Sequence, residues 1–130
     1  MIRRNLQAVL QEAALKSPVL SITGPRQSGK TTLVKHAFRD YTYLNFEDLS
    51  LRSFATDDPA SFLKSYGKRL VLDEAQYVPR LFSNIQLAVD EDTDTRIVIT
   101  GSQNLLLHHK ISQSLSGRVA LFTLLPFSIG

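Results

Sequence analysis

The chain has 130 residues, 43% of them hydrophobic and 21% charged, which is enough for one domain with a packed core and an ordinary polar surface. It has no cysteine, which excludes a disulfide framework and a thiolate metal site, and His36, His108 and His109 stand at no metal-ligand spacing. No apolar run nears the ~20 residues of a membrane helix, and Met1-Ile2-Arg3-Arg4-Asn5 does not open a signal peptide, so a cytoplasmic protein with no membrane partner is expected. The net charge of +3 comes from 15 basic and 12 acidic side chains interleaved along the chain; it leaves nucleic acid open as a partner but forms no basic stripe to bind one.

In chain order, Leu6, Val9, Leu10, Ala13 and Ala14 recur at helical spacing, and Ser17-Pro18 stops that helix over residues 2–16. Val19-Leu20-Ser21-Ile22-Thr23 is a short strand ending at Gly24, and Lys30 to Phe38 is helical. Tyr41 to Phe46 is aromatic and strand-favouring, with Glu47-Asp48 as polar punctuation. Asp58-Pro59 gives an N-cap with proline at the first helical position, and Phe62, Leu63 and Tyr66 share a face until Gly67. Arg69-Leu70-Val71-Leu72 is a continuous apolar strand closing on Asp73-Glu74.

Pro79 opens a further helix, with Leu81, Phe82, Ile85, Ala88 and Val89 on one side before the turn Asp92-Thr93-Asp94. Arg96 to Thr100 is a fourth strand, a short helix starts near Asn104, and Val119 to Leu125 is a fifth strand stopped by Pro126. Strands alternating with helices imply right-handed crossovers and an α/β fold: a three-layer α/β/α core around a mostly parallel five-stranded sheet. Ligands of such sheets bind at the carboxyl ends of the strands, where Gly24 to Thr31, Asp73, Glu74 and Thr100 to Gln103 all fall.

Gly24-Pro25-Arg26-Gln27-Ser28-Gly29-Lys30-Thr31 matches the whole phosphate-binding pattern G-x-x-x-x-G-K-[ST]. Chance produces it in roughly 0.4% of chains of this length, and it lies between a strand and a helix, as its chemistry requires. Backbone N–H groups of the loop and helix start converge on phosphate oxygens, Lys30 supplies a point charge, and Thr31 offers a hydroxyl to Mg²⁺. Asp73 at a buried strand end is the second Mg²⁺ residue, and Glu74 beside it can take a proton from the water that attacks the γ-phosphate. One of Thr100, Ser102 and Gln103 can sense that phosphate, with Ser102 preferred. Arg118 can neutralise charge in phosphoryl transfer, in its own chain or a neighbouring subunit.

These stretches, with Thr32-Leu33, Tyr43-Leu44-Asn45-Phe46-Glu47-Asp48, Leu72-Asp73-Glu74-Ala75-Gln76, Ile99-Thr100-Gly101-Ser102, Leu115-Ser116-Gly117-Arg118 and Leu125-Pro126-Phe127-Ser128, resemble AAA-type P-loop ATPases of bacteria and archaea that carry an uncharacterised C-terminal domain. The resemblance implies ATP, rather than GTP, bound with Mg²⁺ and hydrolysed. It extends the nucleotide contacts to Thr32, and a homo-oligomer stays open as a partner. It also implies that residues 1–130 are a single ATPase core, a piece of a longer protein without the helical lid of such enzymes. A nucleotide-dependent switch with little hydrolysis is the alternative. A small-molecule kinase would need an acceptor pocket and an arginine-rich lid, which the sequence does not offer.

Overall fold

The structure is a computed structural model that describes residues 2–24, 29–101 and 118–123, without the side chains of residues 2–5 and of Thr123. Helix α1 spans Ile2–Lys16, strand β1 Val19–Thr23, α2 Lys30–Ala37, β2 Thr42–Asn45, α3 Leu49–Asp57, α4 Pro59–Ser65 and β3 Arg69–Asp73. A 3₁₀ turn, Ala75–Tyr77, follows, then α5 Leu81–Glu91, β4 Arg96–Gly101 and β5 Val119–Thr123. The strands form one five-stranded sheet in the order β2-β3-β4-β1-β5. Every pairing is parallel, with Val19 level with Ile97 and Val119, and Asn45 level with Asp73.

Strand side chains alternate between the two faces, and that alternation divides the core in two. Leu70, Leu72, Ile97 and Ile99 pack with Phe62, Leu81, Phe82 and Ile85, so α3, α4 and α5 cover one face. Leu20, Ile22, Val71 and Val98 pack with Leu10, Ala14, Leu33 and Val34, so α1 and α2 cover the other. With both faces covered, β1 is buried along its whole length, its hydroxyl residues Ser21 and Thr23 included. The result is the three-layer α/β/α architecture. Phe62 centres an aromatic cluster, with Phe46, Phe54 and Tyr66 at centroid distances of 5.4, 5.3 and 5.1 Å.

Side chains also tie the ends of the elements. Gln11 Nε2 donates to the carbonyl of Ala37 at 2.8 Å, and Arg96 Nε to that of Ala14 at 2.8 Å, meeting carbonyls at the ends of α2 and α1. Gly67 follows α4 at φ 92°, and a Cβ there would meet nothing within 4 Å, so its backbone conformation alone favours glycine.

Three expectations are corrected. Glu47-Asp48 is more than punctuation: Asp48 accepts from the amides of Ser50 and Leu51 at 2.9 and 3.2 Å and so caps α3, a separate helix that ends where Asp58 caps α4. Pro79 lies in a turn rather than at the first helical position, because the amide of Leu81 bonds back to the carbonyl of Val78 at 3.1 Å before α5 begins. The second strand is shorter than Tyr41 to Phe46, spanning Thr42–Asn45. The helix expected from Asn104, and Leu124 and Leu125 of the fifth strand, lie outside the described residues.

Candidate functional site

Because all five strands run parallel, Gly24, Asp73 and Gly101 come together at one end of the sheet. The amide of Gly24 bonds to the carbonyl of Gly101 at 3.2 Å, which fixes the mouth of the phosphate-loop motif against β4. Pro25, Arg26, Gln27 and Ser28 lie outside the described residues. Gly29 returns the chain to α2 at φ 81° and ψ 15°, a left-handed conformation that glycine adopts without a Cβ penalty, and its carbonyl accepts from the amide of Leu33 at 3.0 Å. Lys30 and Thr31 therefore open α2 at its positive end, where the first-turn N–H groups of a helix have no carbonyl of the same helix to meet.

The side chains at that end are buried and interlocked. Asp73 has no exposed surface, and its carboxylate is met by three hydroxyls. Thr31 donates to Oδ2 at 2.9 Å, Tyr43 donates to the same oxygen, and Thr100 donates to Oδ1. The Thr100 oxygen also accepts from the amide of Glu74 at 3.2 Å, so β4 fixes the strand end of β3. Lys30 Nζ stands 3.5 Å from Glu74 Oε2, with 2% and 7% of the two side chains exposed. Glu74 itself has φ 58° and ψ 46°, a left-handed conformation that costs a non-glycine residue about 1–2 kcal/mol. That local strain turns the chain sharply at the strand end while leaving the Glu74 carboxylate toward Lys30 and its amide toward Thr100. Such strain is characteristic of functional turns.

The structure adds residues that the motifs did not identify as part of the site. Tyr43 accepts from Asn45 Nδ2 at 3.3 Å while donating to Asp73, and the Lys35 ammonium lies 4.4 Å from its ring centroid. Burial, then the hydrogen bond to Asp73 and that carboxylate's charge, push the Tyr43 phenol well above its ordinary range, so it stays a donor. Gln76 donates from Nε2 to Glu74 Oε1 at 2.7 Å. Neither carries a local signal: Tyr43 reaches Asp73 because β2 lies beside β3, and Gln76 reaches Glu74 across a left-handed turn.

Of the residues expected to act, Gly24, Gly29, Lys30, Thr31, Asp73 and Glu74 gather here. Thr32 is exposed in the first turn of α2, and Ser102 lies outside the described residues, whereas Thr100 enters the site directly. Arg118, expected to neutralise charge in its own chain or in a neighbouring subunit, is not brought to this site. It precedes β5, its carbonyl accepts from the amide of Val19 at 3.2 Å, and its Nε pairs with Asp90 at 2.6 Å. That is the amino end of the sheet, a full strand length from Asp73. A cavity of about 420 Å³ between α4 and α5, lined by Leu63, Leu87 and Ile97 among others, is also at that end.

Comparison with known proteins gives the family and the fold. The family profile described as an AAA domain matches residues 16–130. An uncharacterised protein of Mycobacterium tuberculosis is 35% identical over 124 residues, 94% of this chain and 28% of the relative. An uncharacterised protein of Methanocaldococcus jannaschii is 31% identical over 138 residues, covering 98% and 30%. The chain thus spans less than a third of the curated relatives it matches. A Walker-type ATPase of Pyrococcus abyssi superposes with a TM-score of 0.68 at 20% identity, covering 97% of this chain and 54% of that one. The DnaC helicase loader does so with 0.60 at 15%, covering 95% and 91%. At those identities the two structures speak for the fold. Among the described residues no helix is long and apolar enough to cross a membrane.

Proposed function

Since this chain belongs to the AAA domain family of nucleotide-binding ATPases, we propose that it binds ATP with Mg²⁺ at the carboxyl ends of β1, β3 and β4 and hydrolyses it to ADP and phosphate. The observation that carries this reading is the convergence of Thr31 on Asp73 at 2.9 Å beside Lys30 and Glu74 at 3.5 Å, behind a complete phosphate-loop motif.

The donor set fits the metal. Mg²⁺ takes oxygen ligands, keeps much of its water, and is held by one or two protein groups together with substrate phosphates. A hydroxyl and a carboxylate in contact are such a pair. Among the described residues no group of three or more His, Cys, Asp or Glu could hold a metal by itself, which suits an ion brought in with the nucleotide. Thr31 and Asp73 would hold it, and it would offset the charge of the phosphates.

The chain's own residues do the rest. The loop amides, including those of the α2 start, cradle phosphate oxygens, and Lys30 exchanges Glu74 for a phosphate oxygen. Glu74 accepts the proton of the attacking water, Thr100 keeps Asp73 and the Glu74 backbone in register, and Ser102 senses the γ-phosphate. Such catalysis is positioning and charge more than covalent chemistry.

The test is Mg²⁺-dependent phosphate release from ATP, recorded with nucleotide affinity, for the wild type and Glu74→Gln. Wild-type release is expected, and Glu74→Gln should bind ATP as well but release phosphate about 100-fold or more slowly, the scale of a lost general base. Equal release by the two would remove Glu74 from the mechanism. Binding without release by the wild type would favour a nucleotide-dependent switch, and no binding would sink the nucleotide reading.

A further inference from the structure

Gln76 is held more firmly than a turn residue needs to be. Its neighbours Ala75 and Val78 are both buried in the core beneath α5, and Tyr77 is stacked under the Arg52 guanidinium at 4.0 Å. The backbone on both sides is thereby pinned, and the side chain reaches Glu74 Oε1 at 2.7 Å. The other end of the same amide, Oε1, is buried and has no hydrogen-bond partner among the described residues. A buried acceptor left unmet is costly, and native proteins satisfy such atoms with a side chain, backbone or an ordered water. Anchoring alone does not explain the choice of residue, since a charged donor would hold a carboxylate more strongly. What glutamine adds is an acceptor on the same rigid plane, beside the carboxylate that its donor holds.

We propose that Gln76 is a second residue on the attacking water, its Nε2 anchoring Glu74 and its Oε1 accepting one of the water's hydrogens. This rests on the reading of Glu74 as the base. As the water oxygen bonds to the γ-phosphorus, the bond from that phosphorus to the bridging oxygen breaks. The water's other proton passes to Glu74, and the electron pair leaves on the ADP oxygen. Gln76 gains and loses no proton. Its donor also keeps the Glu74 carboxylate in place once Lys30 turns to the phosphates, when the carboxylate faces like charge.

The test compares Gln76→Met, which keeps the length but neither hydrogen-bonding group, with Gln76→His, which keeps a ring donor and acceptor. For Gln76→Met, kcat should fall about 10- to 100-fold, as for a lost polar contact to the reacting centre, while KM, ATP affinity and melting temperature hold. Gln76→His should recover most of the loss. Full kcat in Gln76→Met overturns the proposal, and so does a kcat that falls together with affinity and stability. Failure of the hydrolysis reading itself would show as a wild type that releases no phosphate. A crystal structure of the wild type with Mg²⁺, ADP and beryllium fluoride then decides separately. A water bonded to both Glu74 and Gln76 Oε1 supports the role, and a water on Glu74 alone overturns it.

Discussion

The two ends of the sheet use charge in opposite ways. At the amino end Lys68 pairs with Asp92 at 2.7 Å and Arg118 with Asp90 at 2.6 Å, all four side chains open to solvent. At the carboxyl end Lys30 and Glu74 meet at 3.5 Å, almost wholly buried. The shorter pairs are the weaker ones, because water and salt screen exposed charges and ordering two long side chains offsets most of what remains. The longer pair has lost its water, and neither member has ideal geometry, so as a stabilising device it is poor. Under the proposed function it is a site prepared for a third charged group, where a phosphate would take Lys30 and free Glu74 for the water. Closeness of opposite charges is therefore a bad guide to their importance here, and burial a good one.

The largest effect expected from that contrast is at Lys30. Lys30→Ala should weaken ATP binding about 10- to 100-fold, the free energy of one hydrogen bond to a charged group, and abolish phosphate release, both read by calorimetric titration and a phosphate assay. Unchanged affinity would mean that the buried cation is structural. A middle effect is expected at Thr100, whose hydroxyl joins Asp73 Oδ1 to the Glu74 amide. Thr100→Val keeps the shape, and denaturant unfolding should show a loss of about 1–3 kcal/mol for the buried groups left unmet, with slower phosphate release.

The smallest effect belongs to the amino end. Lys68→Ala should leave ATP affinity and turnover as they are. The Lys68 hydrogen bond, chiefly, and the neighbouring Asp94 amide hold the Asp92 carboxyl below its ordinary value. Its folded value is lowered, so the small stability it brings is present above the ordinary carboxylate range and fades as pH falls through the lowered one. An NMR titration should show the Asp92 midpoint rising toward 3.8 in Lys68→Ala, and unfolding curves of the two proteins converging in acid. A midpoint that stays put would assign the shift to Asp94 and the local backbone.

The sequence was sufficient for β3 and β4 because a sheet covered on both faces favours unbroken apolar runs such as Leu70-Val71-Leu72 and Ile97-Val98-Ile99, and for β1 because Val19, Leu20 and Ile22 outweigh Ser21 and Thr23. Helix α3 was harder. Only Ala55 in it is fully buried, Leu49 is exposed, and the cap at Asp48 was the clearest sign of its start. In the site, Lys30, Thr31, Asp73 and Glu74 were legible because each belongs to a local pattern with its own chemistry. Tyr43 was not, since its role depends on β2 lying beside β3, and strand order is not written in any one segment. Gln76 was hidden for a different reason: it reaches Glu74 only because Glu74 turns left-handed, a conformation that no glycine or asparagine announced. Arg118 stands just before the fifth strand, and in a parallel sheet that position alone puts it at the amino end.

The most direct test of a nucleotide site at the carboxyl end is to map backbone amide NMR shifts as Mg²⁺ and ATP are added to the wild-type chain. The account predicts saturable shifts at Gly29 to Leu33, at Asp73 to Gln76 and at Thr100, with Lys68, Asp92 and Arg118 unmoved. Shifts centred on the α4–α5 cavity and the amino ends of the strands, with Lys30 and Asp73 silent, would contradict it.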